Sequence, residues 1–245
     1  MSEPRRRPIE DFARVFHALG VRRGSSLALV GGQAVNAWAS VYSDVLGPEL
    51  KQHLPLTSRD IDVAGSPDLI VALHRELGGQ LRVGGPRQVV HGTLSIGEGA
   101  DALELDVLRV VSGLPAIRAS DTVELELCGA VVPVLFPHLL LRGKLATALT
   151  LDQRDRQDIK HVRILALVLR EFLRSLVVDV RPADERAVLT LLQEVLELLT
   201  SPDARRVAHK HRISLRDILP QRELVAASPR LQAFARGELS RAKIP

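Results

Sequence analysis

The spacing of apolar residues changes once along this chain, near Pro137, and that change limits the architectures open to it. Upstream, short apolar or alternating runs are broken by glycine and proline, as in strands: Ser26–Val30, Ser58–Val63, Val89–Ile96 and Leu103–Val110. Val123–Leu127 and Ala130–Leu135, around Cys128-Gly129, read as a hairpin. Helical spacing intervenes over residues 9–20, from Gln33 to about Leu46 and from Asp68 to Leu77, and residues 47–57 read as a loop. Downstream, His138–Thr150, Gln153–Val178 and Pro182–Leu199 are helical, with shorter pieces beyond Pro202. The expected fold class is α/β (α+β). A small mixed-sheet domain covers residues 1–136, and a helical domain with a basic C-terminal tail covers 137–245.

Composition narrows the chemistry. Hydrophobic residues make up 46% of the chain, enough for a sizeable core, while aromatics are only 3%. The core is therefore aliphatic, and stacking platforms for unpaired bases are excluded as a main device. Cys128 is the single cysteine, so neither an intrachain disulfide nor a cysteine-rich zinc site can form. Its apolar surroundings predict a buried, inert thiol. Arg5, Arg6 and Arg7 are followed by Glu10 and Asp11 instead of an apolar run, so no signal peptide is expected. Arg170, Glu171, Arg174 and Asp179 interrupt the greasiest segment, so no bilayer span is expected either. The expectation is a soluble, cytoplasmic protein without a membrane partner. Residues 201–245 hold ten Lys/Arg against four acids, which puts +6 there and leaves −2 elsewhere out of a net +4. Such a segment can contact phosphates.

The chemistry centres on Ser58-Arg59-Asp60-Ile61-Asp62. Alternation in a strand points Asp60 and Asp62 to one face and Ile61 to the other. Two carboxylates so placed repel unless a cation lies between them, and hard oxygen donors suit Mg²⁺. Upstream, a strand runs into Gly31-Gly32 and opens a helix, where glycine lets a phosphate approach the main chain and the helix N-terminus offers N–H donors. A third acid follows in Leu103-Glu104-Leu105-Asp106-Val107-Leu108, with Asp106 chosen and Glu104 as the alternative. Three carboxylates complete a two-metal site. In the helical half, Lys144 stands in an apolar stretch where its cation can neutralise a triphosphate. Arg154, Arg156, Asp158 and Lys160 also fit an ordinary charged helix face.

Together these features resemble the minimal nucleotidyltransferase fold of the DNA polymerase β superfamily. The downstream Lys144 and the Arg154…Asp158 pattern resemble its AbiEii-like branch, the nucleotidyltransferase toxins of abortive-infection and toxin–antitoxin systems. The resemblance implies Mg²⁺, or Mn²⁺, held by Asp60, Asp62 and Asp106. It also implies a nucleoside triphosphate contacted by Gly31, Gly32, Ser58, Lys144, Arg154 and Asp158. An RNA, protein or small-molecule acceptor and an antitoxin partner are implied as well. The chain departs from the family pattern in three ways: Gly-Gly-Gln replaces the usual Gly-Ser, a Pro-containing insert lengthens the gap to Asp60, and the later Lys-Asp motif has Gln157 for its lysine and His161 for its second acid. Those departures motivate the alternative of an inactive nucleotide- or RNA-binding regulatory module. The three strand acids favour catalysis, because a dead site has no physical reason to keep mutually repelling carboxylates.

Overall fold

A computed structural model describes residues 5–22 and 27–245. Its seven strands are β1 (Ala28–Val30), β2 (Asp60–Ala64), β3 (Gln80–Val83), β4 (Val90–Ile96), β5 (Leu103–Leu108), β6 (Thr122–Leu127) and β7 (Ala130–Leu135). They form one mixed sheet in the order β3-β4-β5-β2-β1-β7-β6. The central strands are apolar on their core side: Leu29, Ile61, Val63, Leu105, Val107 and Val134 are all essentially buried. β2 runs parallel to β5, and β1 runs parallel to β7 and antiparallel to β2.

Helices α1 (Ala13–Gly20) and α4 (Pro67–Leu77) pack on the sheet, against β7 and β4. α4 begins with proline in its first turn and ends at Gly78, whose φ is 71°. α2 (Gly31–Val41) lies over β2 and against the first two long helices of the second half, α5 (Pro137–Thr150) and α6 (Asp158–Val178). α7 (Glu185–Thr200) and α8 (Pro202–His211) continue the helical half; α8 is capped by the Ser201 hydroxyl, which accepts from the Ala204 N–H at 3.2 Å. The last strand ends at Leu135, and the chain from Pro137 onward is helical. Residues 201–245 are folded helices and turns, so the basic segment is not a loose tail.

The two halves share one hydrophobic core. Trp38 of α2 marks the seam: its indole N–H donates to the Leu135 carbonyl at 2.9 Å, and its ring meets Phe172 of α6 edge-on, 5.5 Å between centroids. Among the described residues, no helix is long and apolar enough to cross a membrane.

Several local expectations change. Ser26, the first residue of the expected first strand, lies outside the described residues. β3 was absent from the sequence reading because its side chains are mostly exposed and carry no alternation. The predicted loop 47–57 is helical as far as Lys51: α3 (Ser43–Lys51) continues past a kink at Gly47, whose φ is 29°, so Pro48 follows a bend. α6 starts at Asp158, not Gln153, because the Asp152 carboxylate bonds the Arg154 N–H at 3.1 Å and holds residues 152–154 in a turn. Cys128 is exposed, not buried. It occupies the turn of the β6–β7 hairpin with φ 53°, so its apolar neighbours in sequence point away from it.

Trp38 is the chain's single tryptophan and sits at the seam. In urea, its fluorescence and the far-UV circular dichroism are expected to give coincident midpoints. Phe172→Ala should lower both midpoints together, reflecting a loss of about 3 kcal/mol of unfolding free energy. Separate midpoints would show that the halves unfold independently.

Candidate active site

β2 and β5 lie side by side in parallel, with Asp60 opposite Glu104 and Asp62 opposite Asp106. Ile61 is fully buried, which fixes Asp60 and Asp62 on the opposite face. Asp60, Asp62 and Asp106 each bring a carboxylate oxygen into one cluster, all within 4.8 Å of one another. Glu104 is not part of that cluster: it shares the face of Asp106 but pairs with Arg82 at 3.6 Å. Burial, reinforced by the Asp60 charge, pushes Asp62 up to about 7. Asp106 is also raised, first by burial, while a hydrogen bond from Thr93 acts against the shift. Thr93 stands opposite Asp106 on β4 and donates to its Oδ1 at 2.5 Å. Ser58 donates to Asp60 Oδ1 at 3.2 Å.

Two hydroxyls thus orient two of the three acids, an arrangement typical of the residues that steer metal ligands. The all-oxygen donor set and the mutual repulsion fit a hard divalent cation. The N-terminus of α2 adjoins the acids. Gly31 has φ 67°, and a Cβ there would overlap Asp62 Oδ2; a Cβ on Gly32 would overlap Ser58 Oγ. Glycine at 31 therefore lets the helix start approach Asp62, and glycine at 32 lets it approach Ser58. Among the described residues no side chain caps this helix start, which leaves its first N–H groups able to meet an anion.

Cations line the other wall. Asp158, 1% exposed, accepts from Lys144 Nζ at 2.9 Å and from Arg156 Nε at 2.6 Å. Burial pulls the Asp158 carboxyl upward, but Lys144 and Arg156 outweigh it and bring it down to about 2. Asp158 is therefore a holder of two cations. His161 is buried beside Gly32, and neither ring nitrogen has a partner among the described residues. Burial, with help from Lys144, drives its pKa well below the usual value, so the imidazole is neutral. A cavity of about 330 Å³ joins these groups, lined also by Arg6, Arg59, Asp155 and Gln157. A second lobe of about 180 Å³ shares Asp62, Lys144 and Arg156 and is walled by Val110, Val111, Leu139, Leu140 and Leu151.

The structure thus brings together Gly31, Gly32, Ser58, Asp60, Asp62, Asp106, Lys144 and Asp158. Arg154 is not among the lining residues of either lobe: it is 86% exposed and paired with Asp152 at 2.5 Å. Arg156, two residues on, reaches the cavity because the preceding turn aims it inward. Arg6 and Thr93 carried no sequence signal as site residues, since only tertiary pairing places them there, and Gln157 was visible only as a departure from a motif. His161 was visible only as a departure from a motif.

No family model and no curated protein matches the chain. Among solved structures it is similar to an antigenic nucleotidyltransferase-like protein from Paracoccidioides brasiliensis, at 15% identity over 96% of this chain and 93% of that one, with a TM-score of 0.45.

Two outcomes test whether the acid cluster holds a metal. Thr93→Val should weaken Mn²⁺ binding about tenfold or more in an electron paramagnetic resonance titration, with Thr93→Ser restoring it. Unchanged affinity in Thr93→Val would remove the hydroxyl from this role. The second outcome concerns stability. A carboxyl whose folded pKa is raised costs no stability below its unfolded pKa near 4 and destabilises increasingly up to about 7. Asp62→Asn should therefore stabilise the chelator-treated protein at pH 8 by about 1–2 kcal/mol, the low end because Asp62 keeps some solvent contact. It should do little at pH 4, and Mn²⁺ should stabilise the wild type alone. Thermal unfolding at the two pH values reads this directly.

Proposed function

We propose that the protein is a metal-dependent nucleotidyltransferase, moving a nucleoside monophosphate from a nucleoside triphosphate to an acceptor hydroxyl. The observation that carries this is the convergence of three strand carboxylates, their oxygens within 4.8 Å, beside the uncapped N-terminus of α2. Carboxylates alone would repel a triphosphate. A helix N-terminus alone would bind any anion. Side by side, they suit a phosphate bound together with divalent cations.

Asp60, Asp62 and Asp106 would hold the metal, which when bound polarises phosphate oxygens and lowers the pKa of an attacking hydroxyl. The remaining work falls to the chain. The first N–H groups of α2 bind phosphate oxygens, and Lys144 and Arg156 neutralise charge that gathers on the leaving pyrophosphate. Asp158 keeps both cations aimed at the cavity. The acceptor oxygen bonds to the α-phosphorus, the bond from that phosphorus to the bridging oxygen breaks, and pyrophosphate leaves with the electron pair. Asp106 has Oδ1 engaged by Thr93, which leaves Oδ2 to take the acceptor's proton. The AbiEii-like branch and an antitoxin partner belong to the same reading and rest on Lys144 and Asp158.

The test incubates purified protein with each α-³²P-labelled nucleoside triphosphate, Mg²⁺, and total cellular RNA and protein. Label should enter one acceptor class with wild type and fall about a thousandfold or more in Asp60→Asn and Asp62→Asn. Equal labelling by wild type and Asp60→Asn would sink the assignment. Nucleotide binding without transfer to any acceptor would favour a regulatory module.

A further inference from the structure

Segments free of acids meet beside the cavity mouth. Residues 51–58, 159–170 and 204–216 contain no Asp or Glu. The fold draws them together through cations. Lys160 Nζ donates to the Pro55 carbonyl at 2.6 Å, and Arg163 donates to the His211 carbonyl at 3.2 Å. Arg6, which lines the cavity, donates to the Asp155 carbonyl at 2.9 Å. Each of these cations is held by main-chain oxygen, and none has a carboxylate partner among the described residues. Other arginines sit in ion pairs, among them Arg7 and Arg174 and, within the same segments, Arg170 with Glu49 and Arg206 with Asp203. Asp155 is the acid at this mouth apart from the catalytic cluster and Asp158.

The cations feel one another. His53, Lys160 and His211 are all shifted downward, each first by burial and then by neighbouring cations: Arg163 and Lys160 for His53, Arg6 for Lys160, and Lys210 and Arg163 for His211. Neighbouring cations thus follow one another from the mouth through α6 to the end of α8, along the contacts of Lys160 with Pro55 and Arg163 with His211. Crowding like charges without counterions costs stability, and a row of phosphates would relieve it.

We infer that this track, from Arg6 at the mouth along Lys160 and Arg163 to Lys210, binds the sugar–phosphate backbone of a single-stranded RNA and leads its terminal hydroxyl into the cavity as acceptor. The backbone contact stands on the charge track, and the acceptor role rests on the nucleotidyl-transfer reading above. A line of unpaired cations matches regularly spaced phosphates better than the scattered carboxylates of an acidic protein. With 3% aromatics, the chain has little with which to stack bases, so recognition is by backbone charge and tolerant of sequence. A polycationic small acceptor would be repelled.

The test is fluorescence anisotropy with a labelled 12-nucleotide RNA, without nucleoside triphosphate, from 50 to 200 mM KCl. Four backbone contacts give a log–log salt slope of about −3, a loss of about 50-fold across that range. Arg163→Ala/Lys210→Ala should halve the slope to about −1.4 and weaken binding roughly tenfold at 50 mM. Mn²⁺ binding, read by electron paramagnetic resonance, should be unchanged in that variant and so certify its fold. No RNA binding, binding indifferent to the double variant, or equal competition by poly-glutamate would each overturn the track. Track-dependent RNA binding without nucleotide transfer would sustain the track and remove the catalytic reading. Transfer to another acceptor, with no RNA bound, would do the reverse.

Discussion

The repulsion among Asp60, Asp62 and Asp106 is the constraint around which the rest of the structure is arranged. Parallel pairing of β2 with β5 puts Asp62 directly opposite Asp106, and strand alternation adds Asp60 to the same face. Left alone, such a cluster would splay or protonate. It is held in place because Ile61, Val63, Leu105 and Val107 anchor the other face in the core. The strain surfaces as an Asp62 pKa near 7. A fold that maintains this against its own stability has the signature of a functional site, where unfavourable electrostatics are retained for binding or catalysis.

Around this cluster, compensation is layered. Thr93 and Ser58 each give one hydrogen bond to an acid and fix its orientation. Gly31 and Gly32 withdraw their side chains so that the helix N-terminus can sit against Asp62 and Ser58. The opposite wall places Lys144 and Arg156 near the acids without letting them quench the cluster. Asp158 takes both cations for itself, and its low pKa keeps it ionised to do so. The cavity thus keeps both signs of charge in separate places, which a substrate carrying phosphates and divalent cations needs. The N-terminal segment completes the frame: the main chains of Arg7 and Ser58 exchange hydrogen bonds at 2.7 and 3.0 Å, pinning the residue that orients Asp60.

Much of the site was legible because it is local. Asp60-Ile61-Asp62 is a pattern within one strand, Gly31-Gly32 marks one strand-to-helix junction, and Asp106 was preferred over Glu104 for its central place in an apolar run. Arg154 was misplaced for an equally local reason. Helical spacing extends back to Gln153, whereas the Asp152 carboxylate turns the chain and hands the inward position to Arg156. Cys128 looked buried because its sequence neighbours are apolar, yet a hairpin turn exposes its one or two tip residues whatever flanks them. The exposed edge strand β3 was missed because nothing in its side chains had to alternate.

By itself the sequence determined the division near Pro137, the aliphatic character of the core and the strand that presents two acids on one face. Those properties follow from periodicity and composition, which act over a few residues. Only the tertiary structure decided that Asp106 faces Asp62, that Thr93 bonds Asp106, that Lys144 and Arg156 share Asp158, and that Arg6 meets the cavity. Each of these joins residues far apart in the chain. Their proximity is set by which strands pair and which helices pack, a choice made by burying the whole core at once.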